Sequence, residues 1–191
     1  ATDAAIGRLT AGLKARGIAA NIVVVADHGM AALSQDRRLY IDDFTRPEWV
    51  QALTTGAFLS GSADPAHKAE VEKALLGTHP HMTCWLPRRM PGRFHYGRNP
   101  RAPGIFCLPE TGWTISFRST SGWQEKGTHG FDPYSPEMAA LFVASGPAFR
   151  PGVRLKPFDN VDVYPLLMRL IGVKALKGDG TLGPLRAGLK P

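Results

Sequence analysis

Asn21-Ile-Val-Val-Val-Ala-Asp-His-Gly-Met30 is the stretch on which the fold turns. Its β-branched run, Ile22 to Ala26, is too short to span a membrane and does not alternate. It therefore reads as a central parallel strand covered on both faces. The run stops on a carboxylate, an imidazole and a glycine. In open α/β sheets ligands bind at the carboxyl ends of strands, which is where this reading puts Asp27 and His28. Gly29 lets the backbone turn sharply or approach a ligand closely. An aspartate oxygen beside a neutral imidazole nitrogen is a donor pair that suits zinc. The same residues also admit a structural role, with Asp27 capping a following helix and His28 packed on the turn.

A second segment, Gly127-Thr-His-Gly-Phe-Asp-Pro-Tyr-Ser-Pro-Glu-Met138, runs into an apolar strand over Ala139 to Ala144. Glycines and prolines make its first half irregular, and an irregular loop held against a rigid sheet is a common address for ligands. His129 alone reads more readily as a surface or turn histidine; together with Asp27 and His28 it is a candidate third metal ligand. Asp132, three positions on, is a candidate carboxylate to orient it.

Outward from these segments the chain reads as alternating helices and strands. Asp3 to Arg16 carries Ile6, Leu9 and Leu13 at helical spacing, with Gly17 as its stop, and feeds the Ile22 strand as half of a βαβ unit. Pro65 to Leu76 is a second helix, with Asp64 as cap, Pro65 in the first turn and Val71, Leu75 and Leu76 on one side. A strand around Ala57 to Ser60 precedes it. His81 to Trp85, Gly104 to Leu108 and Trp113 to Phe117 are expected as strands of a smaller antiparallel layer. Val161 to Ile171 is expected as a helix with Pro165 in its first turn and Tyr164, Leu167, Met168 and Ile171 as a core-facing stripe.

With 191 residues and 43% apolar content the chain can bury a sizeable single core. Its formal charge of +7 raises a nucleic-acid reading. Arg88, Arg89, Arg93, Arg98 and Arg101 crowd one stretch and interleave with Phe94, His95 and Tyr96, a mixture that pairs with phosphates and stacks on bases. The plainer reading is a solvated, proline-rich connector. A non-enzymatic basic nucleic-acid-binding module is the alternative from another class, and its sign would be binding that falls steeply with salt yet ignores chelators. Cys84 and Cys107 stand too far apart for a Cys-x-x-Cys zinc knuckle. No apolar run is long enough for a membrane span. His79 and His81 flank Pro80 without a ligand pattern around them, His67 falls on the polar side of its helix, and Asp36, Asp42 and Asp43 read as surface residues.

Taken in order, Ala26-Asp27-His28-Gly29-Met30, Leu86-Pro87 followed by Phe94-His95-Tyr96, Gly127-Thr128-His129-Gly130-Phe131-Asp132, and Glu137-Met138 leading to Gly146-Pro147 form a recognisable series. Pro157 to Tyr164 and Gly180-Thr181-Leu182 extend it. The series resembles the nucleotide pyrophosphatase/phosphodiesterase (type I phosphodiesterase) family of the alkaline phosphatase superfamily. That resemblance implies an α/β, alkaline-phosphatase-like sandwich with a mostly parallel central sheet flanked by helices and a small antiparallel layer. Residues 1–191 would be the C-terminal, incomplete portion of a single catalytic domain of that kind.

By the same resemblance two Zn2+ ions are the cofactors of the complete enzyme. Asp27 and His28 would bind the ion that activates the nucleophile, and His129 the other. The nucleophile is expected to be a threonine in an N-terminal half preceding Ala1, present as a separate chain or lost. No catalytic nucleophile is then expected in this chain, and the fragment alone is expected to be inactive. The implied activity is hydrolysis of nucleotide phosphodiester or pyrophosphate bonds, with a phosphomonoesterase or phosphonate hydrolase of the same superfamily as the nearest alternative. The implied partner is a nucleotide or other phosphodiester substrate, with nucleic acid the less favoured one. A periplasmic or secreted location is implied as well; it favours a Cys84–Cys107 disulfide over two buried free thiols.

Overall fold

A computed structural model of the chain describes residues 1–120 and 125–191. In chain order the elements are helix α1 (Thr2–Ala15), strands β1 (Ile22–Val25), β2 (Ala31–Ala32), β3 (Arg38–Tyr40), β4 (Val50–Thr54) and β5 (Leu59–Ala63), and helix α2 (Lys68–Leu75). Strands β6 (Gly77–His79), β7 (Met82–Trp85), β8 (Ile105–Pro109), β9 (Thr114–Ser116), β10 (Gly127–Thr128) and β11 (Phe142–Ser145) follow, and then helix α3 (Val163–Leu170). The chain divides into two compact units, one formed by Ala1–Asp27 with Leu141–Pro191, the other by His28–Ala140.

In the first unit α1 forms where Ile6, Leu9 and Leu13 predict it, and Gly17 ends it at φ +66°, a conformation that other residues adopt at a cost. None of its residues is buried. The reading of Ile22 to Ala26 as a parallel strand covered on both faces is corrected. β1 runs antiparallel to β11, with Ile22 opposite Ser145 and Val25 opposite Phe142, and no β1 residue is buried. An unbroken apolar run shows that a strand avoids water but not which strand, far along the chain, becomes its neighbour. The core here gathers Phe149, Leu166, Leu185 and Leu189, with Val23, Phe142, Ala144 and Phe158 against them.

α3 starts later than expected because Asn160–Asp162 winds as a 3-10 turn. Its expected core stripe is also corrected: Val163 and Leu166 are the buried residues, while Tyr164, Leu167 and Ile171 are exposed. The buried Asp162 carboxylate instead ties down the chain end, accepting the Thr181 N–H at 2.6 Å. Beside it, a Cβ at Gly180 would fall 2.0 Å from the Val161 carbonyl oxygen, so only glycine lets the backbones meet.

The second unit is built on an antiparallel five-stranded sheet in the order β4-β5-β8-β7-β6. The Asp64 carboxylate accepts the Ala66 N–H at 2.8 Å, so the cap and Pro65 do start the helical segment, first as a 3-10 turn and then as α2. Val71 and Leu75 of α2 are fully buried with Ile41, Leu59, Ile105 and Ile115. Cys84 and Cys107 face each other across β7 and β8 and form a disulfide with both residues buried. β9 departs from the expected antiparallel layer: it runs parallel to β3, Leu39 opposite Ile115, and is the one parallel pair among the described residues. The mostly parallel sheet of the implied fold is therefore not assembled from the described strands.

Candidate functional site

A two-residue ladder sets the site in the second unit. β2 and β10 pair antiparallel, Ala31 opposite Thr128, so the chain just before β2 and the chain just after β10 leave the ladder at the same end. His28 and His129 meet there. Their rings stack with centroids 3.6 Å apart and planes 15° from parallel. His28 is half-buried and His129 exposed.

The His28 ring is oriented by its own backbone. Its Nδ1 lies 2.8 Å from the Gly29 carbonyl oxygen, and because a carbonyl can only accept, Nδ1 is the donor in this contact and Nε2 is the acceptor nitrogen of the neutral ring. Gly29 serves by close approach and not by a left-handed turn. Its N–H donates to the Met138 carbonyl at 3.0 Å, and a Cβ there would sit 2.0 Å from the Glu137 carbonyl oxygen. Met138 in turn joins Ala31, Ala57 and Phe131 in a small buried cluster. The loops bearing the two histidines thus share one packed support.

Asp27 closes the β1 end of the first unit. Ala26 N–H donates to the Leu141 carbonyl at 2.9 Å, and the Asn160 side-chain amide donates to the Asp27 carbonyl at 3.0 Å. The Asp27 residue is exposed. Among the described residues no group of three or more His, Cys, Asp or Glu is gathered closely enough to enclose an ion. The stacked histidines are what the structure brings together.

Asp132 does not have the setting expected of a carboxylate that orients His129. Its two oxygens accept from the Arg93 guanidinium, Nη1 at 2.8 Å and Nη2 at 2.5 Å, and Oδ1 also accepts the Tyr134 N–H at 3.0 Å. The hydrogen bonds from Arg93 hold the Asp132 carboxyl below the usual carboxylate range, against partial burial that pushes it up, and the same contact raises Arg93. Arg93 thereby leaves the class of solvated connector charges. Arg93 and Asn160 lie in stretches that the sequence marks, but their partners Asp132 and Asp27 are not legible there, since each is far along the chain.

Other histidines have structural settings. His67 is not simply solvated but stacks on Trp49 at 4.0 Å. The His79 ring bonds the Leu75 carbonyl, and His81 stacks on Trp113 while pairing with Glu110 at 2.8 Å. Asp43 pairs with Arg118, whose N–H also bonds Asp42 at 3.1 Å.

The profile of the type I phosphodiesterase / nucleotide pyrophosphatase family matches residues 1–132. The chain belongs to that family. Human bis(5'-adenosyl)-triphosphatase ENPP4 is 32% identical over 183 residues, covering 95% of this chain and 40% of that protein. The structure of human ectonucleotide pyrophosphatase/phosphodiesterase 5 superposes with a TM-score of 0.92 at 26% identity, over 100% of this chain and 51% of that one. The murine counterpart, solved as an inactive variant in complex with AMP, gives 0.91 at 28% identity over 99% of this chain and 51% of that one. The chain therefore spans 40–51% of these relatives and is a partial alkaline-phosphatase-like α/β domain of a hydrolase family. No helix among the described residues is long and apolar enough to cross a membrane.

Proposed function

We propose that the complete protein hydrolyses phosphodiester or pyrophosphate bonds of nucleotides with two zinc ions, and that Asp27, His28 and His129 are this chain's share of their ligands. The stacked histidine pair carries the reading. An imidazole nitrogen binds a metal in the plane of its ring, through a bond of about 2 Å. Rings lying face to face at 3.6 Å do not aim both lone pairs at one ion, so each would serve an ion of its own, as a two-metal site requires. His28 would serve one ion and His129 the other. Asp27, which precedes His28 in the chain, is assigned to the His28 ion.

The chain's own residues contribute ligand atoms and their orientation. The Gly29 carbonyl keeps His28 in the tautomer that presents Nε2, as metal-bound histidines require. When bound, the ions supply positive charge that acidifies the nucleophile and neutralises the oxygens of the transferred group. The nucleophile, expected to be a threonine, and the remaining ligands are assigned to the part of the relatives' length that this chain does not span; residues 1–191 alone are proposed to be inactive. The AMP held by the murine relative supports a nucleotide substrate. The "ecto" in the relatives' names and the buried disulfide support a periplasmic or secreted protein.

The test is release of AMP from a nucleotide aryl ester by the full-length protein. His28→Ala and His129→Ala should each lower kcat/KM by more than about a hundredfold, beyond the 10–100-fold typical of residues that only orient a ligand. Faster hydrolysis of a phosphate monoester than of the diester would shift the assignment to the phosphomonoesterase branch. Variants as active as the parent would overturn the assignment of the histidines.

A further inference from the structure

We propose that Arg93 is a positioning residue for the histidine pair: by gripping Asp132 it fixes the loop that carries His129. The proposal rests on the two-metal reading above and concerns how a chain built this way keeps an exposed ligand aimed. His129 lies outside regular structure, one residue past β10. A ring in that position holds its direction only if the backbone beyond it is held.

Three successive residues supply that hold. Gly130 sits at φ +99° against Phe58, where a Cβ would be 3.3 Å from the ring. Phe131 is 4% exposed and packed with Ala31, Ala57 and Met138. Asp132 is then gripped by both terminal nitrogens of Arg93. Phe131 fixes the depth of the loop, but an apolar contact leaves rotation about it free; a two-pronged ionic contact removes that freedom.

The grip is closed from both sides. The Tyr134 hydroxyl donates to the Arg93 carbonyl at 3.3 Å while the Tyr134 N–H donates to Asp132, so backbone and side chain of Arg93 are both engaged by residues 132–134. The guanidinium lies 4.0 Å over the Phe94 ring and 5.2 Å over the Tyr134 ring, in cation–π range of both. Its own anchor is stiff. Pro87 is buried, and Gly97 at φ +93° approaches it so closely that a Cβ would lie 1.9 Å from the Pro87 carbonyl oxygen. An isolated surface ion pair holds little. This one joins two stiff loops, and arginine is needed because lysine cannot form the planar two-pronged contact.

The experiment uses the full-length protein stripped of metal and titrated with zinc against a chromogenic chelator, with Tm recorded alongside. Arg93→Ala should weaken zinc binding by about tenfold or more, in the 10–100-fold range of residues that orient metal ligands, with Tm little changed. Arg93→Lys should recover only part of the loss. The exchanged pair, Arg93→Asp with Asp132→Arg, should bind zinc more tightly than either single variant. If Arg93→Ala lowers Tm, Arg93→Lys and the exchanged pair carry the test, since both keep an ion pair. Zinc affinity of Arg93→Ala and Arg93→Lys within about twofold of the parent would overturn the positioning role. His129→Ala is the control for the reading beneath it: if that variant binds zinc like the parent, the metal assignment has failed and the proposal falls with it.

Discussion

The segment His28–Ala140 seals its own core, whereas Ala1–Asp27 with Leu141–Pro191 leaves much of its apolar surface open. In the former, Ile41, Leu59, Val71, Leu75, Cys107 and Ile115 are all at 0% exposure, around a five-stranded sheet crossed by a disulfide. In the latter α1 buries nothing, β1 and β11 pair only with each other among the described residues, and Leu9, Ile18, Val25, Leu141, Val143 and Ile171 all lie exposed. The contrast teaches where rigidity comes from. The histidine pair is carried by the sealed unit, on loops backed by buried side chains, while exposed apolar surface of the kind on the open unit marks an interaction face more often than an active centre.

The largest effect should come from the sealed core. Leu75→Ala should cost about 3 kcal/mol in urea unfolding, because its neighbours cannot collapse onto the space left, while Leu9→Ala on the exposed face of α1 should stay within about 0.5 kcal/mol. Equal losses at both positions would break the comparison. Next, Cys84→Ala with Cys107→Ala should cost about 3 kcal/mol, set by a sequence separation of 23. Hydrogen exchange should then show protection lost in β7 and β8 but unchanged in β1 and β11; loss spread evenly over both units would mean that they unfold together.

A smaller effect sharpens the role of Asp132. Its carboxyl is depressed in the fold, so the stability it adds is complete above the ordinary carboxylate value near 4 and is lost as pH falls through the lower folded value. Asp132→Asn should cost about 1 kcal/mol at pH 7, and parent and variant should converge as the pH falls through the lowered folded value. A gap that persists in acid would show that the carboxylate's charge is not what holds Arg93.

Local features were legible in the sequence and distant pairings were not. Asp64, Pro65 and Gly17 mark helix ends through their own backbone chemistry, and each did so here. The adjacency of Asp27, His28 and Gly29, and the glycine-flanked His129, marked candidate metal ligands once the family resemblance joined them, and the structure brings the His28 and His129 rings together. The disulfide was favoured by that resemblance and is present. What failed depended on partners chosen across the chain. β1 found β11, β9 found β3, and Asp132 found Arg93 at a separation of 39 residues. The stripe of α3 was misjudged because periodicity names an apolar face and not what lies against it; Leu166, off the expected stripe, is the residue that reaches the core.

Zinc stoichiometry of the full-length protein tests the central assignment most directly. Metal analysis of the purified parent should give about two zinc ions per chain, falling to about one in His28→Ala and to about one in His129→Ala, if each stacked ring serves its own ion as proposed. A parent that carries no metal, or single variants that keep both ions, would contradict it.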